Sequence, residues 1–311
     1  MTRFTMPDTS LPINEQRDLL REQFNKFLCC DAIKDILSIL NTDLHEIKTI
    51  YNGRTLQGGK IRESMEFNDD NRLEKYRHEL YAPLKELGSF DINTPISNKN
   101  SHIIILGGSL TSCYNRTHYA LNWINKDTKQ IDGLSCYRPI SPKERKGISQ
   151  DRMGDTEFNA MSYAFIQTFN LQESIITDEF VSDRNINSVS NILTISNDNA
   201  SEKDIIYRVL AAPSTEPNLR RADTSDTINY YLNNSKLDKN TSILAITDNR
   251  YCNRQFIQLA STMLNSNVSY YLDIIGCFRG DKITTIDNYN PYQYIQDTIS
   301  LIDLIEKFNS N

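Results

Sequence analysis

No stretch of this chain is apolar for long enough to cross a bilayer. Residues 1–13 carry one basic residue and no apolar core of a signal peptide, so a cytoplasmic protein is expected. Export by a non-classical or effector route would leave no mark in these features. Basic residues are in deficit, 34 against 40 acidic ones, giving a net charge of -6. That speaks against nucleic acid as a partner, because non-specific binding needs clustered cations to displace counterions. A small local anion site survives the argument. The six cysteines (Cys29, Cys30, Cys113, Cys136, Cys252 and Cys277) form no C-x-x-C and have no histidine at ligand spacing, so no metal centre is expected. Reduced, mostly buried thiols fit a cytoplasmic chain. The P-loop, the G-x-G-x-x-G dinucleotide fingerprint and the G-x-S-x-G elbow are all missing.

What remains is ordinary globular material: 311 residues, 39% hydrophobic and 24% charged, enough for a large core or two domains. Residues 1–13 read as a flexible tail. From Asn14, a plausible N-cap, Leu19, Leu20, Phe24, Phe27, Leu28, Ile33, Ile36, Leu37 and Leu40 recur at helical spacing. Asn41-Thr42-Asp43 reads as a stop and recap, and a second helical stretch runs from Asn71 to Leu87 and ends at Gly88. Residues 1–95 therefore read as an all-helical N-terminal region. It is either an extension packed on the rest or a surface, through residues 14–88, for a protein partner.

Residues 96–311 alternate between strand and helix patterns. Strands are expected at 102–107, 130–136, 191–196, 205–212, 242–248 and 268–276, and helices at 115–126, 155–169, 224–234, 251–264 and 291–308. Such alternation argues for an α/β fold around a mostly parallel sheet. The runs 102–107, 205–212 and 242–248 are expected to be neighbours in it. Residues 138–153, polar and proline-bearing, suggest a mobile lid. Residues 172–204, rich in Asn, Ser and Asp, look like an excursion.

In parallel sheets the carboxyl edge collects ligands. Five stretches fall at that edge: Gly107-Gly108-Ser109; Arg116; Thr156-Glu157; Arg221 with Asp223, Thr224 and Asp226; and Thr247-Asp248 with Arg250 and Arg254. The glycines permit a sharp turn or a close ligand. Arg221, Arg250 and Arg254 suit phosphate or carboxylate oxygens, helped by amides at helix starts. Glu157, Asp223, Asp226 and Asp248 suit ribose hydroxyls, a divalent cation or general-base work. Each has a plainer reading: a tight turn, an N-cap at Thr156, Asp223 or Thr224, or a solvated helix face for Arg116 and Arg254. Ser109 or Cys113 with His118 is a nucleophile arrangement by position only.

In order, these stretches resemble the domain-of-unknown-function family that contains the bacterial SanA, ElyC and YdcF proteins. That family has a strand ending in Leu-Gly-Gly, an Arg opening the next helix, then Ser-Glu-Ala-x-x-Met, Asn-Thr-x-Glu-Asn and Val-Thr-Ser-x-x-His-x-x-Arg. Here Leu106-Gly107-Gly108 and Arg116 match the first part, and Thr156-Glu157-Phe158-Asn159-Ala160-Met161 keeps the Glu and Met. Asp223-Thr224-Ser225-Asp226-Thr227 resembles the third motif, and Ile246 to Arg254 has the spacing of the fourth, with Tyr251 in place of His. Asp132-Gly133-Leu134-Ser135 loosely resembles the family's Ser-Gly-Gly strand end, and the family's common membrane anchor is missing. The resemblance spans roughly 100–276. It implies a bacterial origin, a Rossmann-like three-layer fold and a cleft at the strand ends, with S-adenosylmethionine or a nucleotide as the cofactor class. The expectation is a protein that binds a small anionic or nucleotide-like ligand and acts on it or only holds it. The competing expectation is a host-directed effector whose N-terminal helices bind a protein.

Overall fold

A computed structural model describes residues 3–51, 71–90, 93–145, 154–171, 175–195, 205–277 and 284–310. Its centre is a seven-stranded sheet: β1 (His102–Leu106), β2 (Gln130–Ser135), β3 (Ile175–Asp178), β4 (Asn191–Ile195), β5 (Ile206–Ala211), β6 (Ser242–Asp248) and β7 (Tyr271–Cys277). The order is β3-β4-β5-β2-β1-β6-β7. The run β5-β2-β1-β6-β7 is parallel, and β4 pairs antiparallel with β5 and β3. From β1 the chain steps to β2, passes to the far edge at β3, returns inward through β4 to β5 beside β2, and then crosses to β6 on the other side of β1. The strand order therefore reverses between β1 and β6.

Two expectations change here. The 205–212 strand does not touch 102–107, because β2 lies between them. β2 is not a pure apolar run, yet all six of its residues are buried. It reaches the centre because Asp132 accepts from Arg208 Nε at 2.7 Å and from Gln130 Nε2 at 2.8 Å, which offsets the cost of burying a carboxylate. Gly133 also lets α6 (Glu157–Thr168) close on the strand: a Cβ there would lie 2.6 Å from Met161 Cγ. The 172–204 excursion is, in its described parts, β3 and β4 joined to the sheet edge. Residues 172–174 and 196–204 of it lie outside the described residues.

Side chains alternate across the sheet as the strand period requires. Ile103 and Ile105 face a cluster with Met161 and Phe165 of α6 and Cys113 of α5 (Leu110–Ala120). Ile104 and Leu106 face the other side. There they share a core with α7 (Thr224–Asn233), α8 (Cys252–Asn265) and α9 (Pro291–Ser310).

The described residues before β1 form four α-helices: α1 (Ile13–Leu28), α2 (Asp31–Ile39), α3 (Glu46–Tyr51) and α4 (Arg77–Glu86). Residues 52–70 of this region lie outside the description. The expected single helix from Asn14 is two helices, capped at Pro12 and broken at Cys29–Cys30, with Asp31 opening the second. Asp43 does recap: its Oδ1 accepts from the amides of His45 and Glu46. Gly88 follows α4 at φ 79, the left-handed position where a helix-ending glycine is favoured. From Arg3 onward the expected tail is not loose. Phe4 is 3% exposed and packs edge-on against Phe24 and Phe27. Arg3 bonds Asp273 and the Ile274 carbonyl on the outermost strand.

Candidate functional site

The carboxyl ends of the parallel strands share one edge, and α5, α7 and α8 start there soon after β1, β5 and β6. α5 begins earlier than its pattern suggested, because Ser109 caps it by accepting from the Ser112 amide. Arg116 therefore stands on the second turn rather than at the opening. Helical side chains lean toward the N-terminus, which returns its guanidinium to the end of β1. Arg116 is 1% exposed. Its Nε donates to Asp248 Oδ1 at 2.9 Å, and Nη1 donates to the Leu106 and Gly107 carbonyls at 2.6 Å each. Ser112 donates to Asp248 Oδ2 at 3.3 Å and also meets Ser109 Oγ at 3.0 Å. Burial opposes the charge on Arg116. The Asp248 carboxylate outweighs it and raises the guanidinium pKa.

Glu157 is also buried. A Cβ on Gly107 would lie 2.0 Å from Glu157 Oε1 and 2.6 Å from the Leu134 carbonyl, so the glycine admits the protein's own carboxylate rather than a ligand. Glu157 Oε2 accepts from Arg138 Nε at 3.0 Å. Arg138 also grips Glu144 through Nη1 at 2.8 Å and the Gly108 carbonyl through Nη2 at 2.8 Å. Burial opposes its charge, Glu157 and Glu144 prevail, and its pKa is raised. The described part of the expected lid, 138–145, is therefore pinned to the sheet edge. Residues 146–153 lie outside the description.

Gly107, Gly108, Ser109, Arg116, Glu157 and Asp248 thus join one network, to which the structure adds Arg138 and Glu144. Its arginines do not face one another awaiting an anion. Arg116 has Asp248, and Arg138 has two glutamates. Thr156 is the N-cap of α6, accepting from the Asn159 amide at 3.2 Å. Asp223 caps α7 in a reciprocal box with Asp226, and Arg220 rather than Arg221 pairs with Asp226. The Thr224 carbonyl accepts from Thr227 Oγ1 at 2.9 Å in the first turn. Arg221 is half-buried, and its Nη1 donates to the Ala222 carbonyl at 3.3 Å. Burial pushes the Cys136 thiol up to about 12, Glu157 adds to this, and Arg221 opposes it. Thr247 is fully buried and its hydroxyl bonds Gln255 of α8.

A thiol nucleophile finds no support. Cys113 is fully buried and burial pushes its pKa up to about 12. His118 is exposed and stacks on Tyr114. Ser109 is engaged as a cap. Among the described residues, no group of three or more His, Cys, Asp or Glu side chains is placed to hold a metal ion.

Arg254 belongs elsewhere. It opens onto a cavity of ≈ 20 Å³ at the N-terminus of α8, beside Arg250, Asn249, Asn253, Asp297 and Thr298. A water needs roughly 10–15 Å³, so one small group fits. Phe27 of α1 and the turn Leu87-Gly88-Ser89 close it. The Arg250 and Arg254 guanidiniums lie 4.5 and 4.8 Å from the Tyr251 ring centre. Arg250 also reaches Gln293 Oε1 at 2.7 Å and Asp297 Oδ2 at 3.3 Å. Two guanidiniums and one carboxylate line this cavity, whereas one guanidinium meets two carboxylates at Arg138. Helix N-termini add positive potential, so of the two places the cavity is the one that suits an anion.

Asn249, Asn253 and Asp297 carried a weak signal in the sequence. Asn249-Arg250 and Asn253-Arg254 repeat one helical turn apart, and Asp297 interrupts the buried stripe of α9. Arg138 and Glu144 gave none beyond loop composition. No family model, no curated protein and no solved structure matches this chain significantly.

Proposed function

We propose that this chain binds a small anionic ligand, with nucleotide-like molecules as the leading class, and that one oxygen of its anionic group enters the Arg250–Arg254 cavity at the start of α8. The observation that carries the reading is the cavity lining, two guanidiniums against one carboxylate at a helix N-terminus. The cavity admits a terminal phosphate or carboxylate oxygen, and the rest of the ligand lies outside it along the carboxyl edge. The reversal of strand order beside β6 supports this, since open α/β sheets bind ligands at such points. We read the parallel strands as a Rossmann-like arrangement and the chain as a divergent, cytoplasmic relative of the SanA, ElyC and YdcF proteins. S-adenosylmethionine and nucleotides are accordingly the first ligands to try. No reaction is assigned. A partner-binding role for residues 14–88 is the weaker reading, because the apolar stripe of α1 and α2 is occupied in the core through Leu20, Phe24, Phe27, Ile33 and Ile36.

The test is a thermal-shift screen with phosphate, nucleotides, S-adenosylmethionine and phosphosugars. A ligand at a hundred times its Kd stabilises by about 2.7 kcal/mol. Arg254→Ala should stay folded and lose that response. If no anion stabilises the native protein, or the variant responds as strongly, the reading is wrong.

A further inference from the structure

The six cysteines divide by exposure. Cys113, Cys136, Cys252 and Cys277 are each at most 4% exposed, and burial pushes each of these thiols up to about 12. Cys29 is exposed, Cys30 beside it is half-buried, and both are free. They stand where α1 ends and α2 begins. Adjacent side chains on a continuous helix do not face each other. That constraint is lifted here, because the Cys30 backbone is extended at φ -69 and ψ 158. Cys30 also occupies the N-cap of α2, where Ser, Thr, Asp or Asn would bond the first turn, and its side chain makes no such bond. One ammonium lies within electrostatic reach of both sulfurs: Asp31 raises the Lys34 pKa most, and Cys29 and Cys30 add to the rise.

We infer that Cys29 and Cys30 form a dithiol site for a soft electrophile of the trivalent-arsenic class, which bridges the two sulfurs at the α1–α2 junction. Exposure selects this pair over the other four thiols, and thiolate sulfur is the ligand type that a soft centre prefers. The same geometry disfavours a disulfide between the two. Across a trans peptide adjacent Cα atoms lie about 3.8 Å apart, closer than the roughly 4.4–6.8 Å usual for a disulfide. A bridging arsenic atom lets the sulfurs stay further apart. In the reaction both S–H bonds and the bonding between arsenic and oxygen break, two As–S bonds form, and the protons leave with the oxygen as water. Neither sulfur nor arsenic changes oxidation state. The second As–S bond closes within one molecule, so the bridge should hold about 10²–10⁴-fold more tightly than a single bond.

The probe is phenylarsine oxide, added to the folded full chain and followed by intact mass spectrometry. A single arsenical should bind per chain, survive excess glutathione, a monothiol, and leave with dimercaptopropanol, a dithiol. Trypsin cleavage after Lys26 and Lys34 releases Phe27–Lys34, which holds both cysteines and none of the other four, and the arsenical should map to that peptide. Cys29→Ser and Cys30→Ser should each lose the glutathione-resistant adduct. The peptide map of the native chain decides the matter even where a variant fails to fold. An adduct on another peptide, one that glutathione strips from the native protein, or one that resists glutathione in either variant overturns the site. So does the absence of any adduct.

Discussion

Gly107→Ala tests the geometry of the network most sharply. Neither Gly107 nor Gly108 has a positive φ, so any cost is steric rather than conformational. At Gly107 the new methyl would sit 2.0 Å from Glu157 Oε1 and 2.6 Å from the Leu134 carbonyl. Glu157 can swing away, but only by leaving Arg138 in a site where breaking an ion pair is expensive. The Leu134 carbonyl cannot swing. It belongs to β2, paired on both sides, and must retreat by about 0.8 Å to reach ordinary contact at 3.4 Å. Overpacking alone costs about 1–3 kcal/mol, and the weakened Arg138–Glu157 pair brings the total to about 2–5 kcal/mol. Unfolding entropy near 2.1 cal/mol/K per residue converts this to a Tm lower by about 3–8 °C. Gly108→Ala is the control. There the nearest atoms are Ser112 Cβ at 3.1 Å and the Arg116 Nη atoms at 3.3 Å, so α5 and the held guanidinium need to shift by only a few tenths of an ångström. It should lie within about 1 kcal/mol of the parent, helped by the lower entropy of an unfolded chain with alanine. Calorimetry of the two variants decides the matter. Equal losses, or a loss at Gly107 below about 1 kcal/mol, would refute the packing described.

Three further outcomes follow from buried groups. Arg116→Met removes the guanidinium beside Asp248, which is 2% exposed, and should cost about 3–5 kcal/mol in urea unfolding; a loss below 1 kcal/mol would show the pair to be dispensable. His102, whose pKa burial and the nearby Arg208 and Lys129 lower from 6.5 to about 4, stays neutral in the fold while the unfolded chain takes a proton. Stability should therefore fall as pH drops below 6.5, by about 2 kcal/mol at pH 5. His102→Gln should flatten that slope, and an unchanged slope would assign the pH dependence to other groups. Phe4→Ala should cost about 3–5 kcal/mol, as for a core phenylalanine, and a neutral result would return the first residues to the status of a loose tail.

Element types were largely legible because hydrophobic period is a local property. The run Ile103 to Leu106, the stripe Leu20-Phe24-Phe27 and the capped helix after Asp223 each declare themselves within a dozen residues. Boundaries failed where a cap overrode the pattern, as Ser109 did for α5. Phe4 was missed because a single aromatic in a polar tail has no period.

The sequence by itself determined that the chain alternates strand and helix after residue 100, and that polar, glycine and arginine residues gather where those strands end. Pairing was decided only in three dimensions. Nothing near Arg116 in the chain announces Asp248, 132 residues away, and nothing near Glu157 announces that Arg138 and Glu144 will neutralise it. Tertiary structure also separated Arg254 from Gly107, although both belong to the same sheet edge. The physical reason is desolvation. A charge that folding buries must find a counter-charge within hydrogen-bond reach, and which one it finds depends on strand order, which no local pattern encodes.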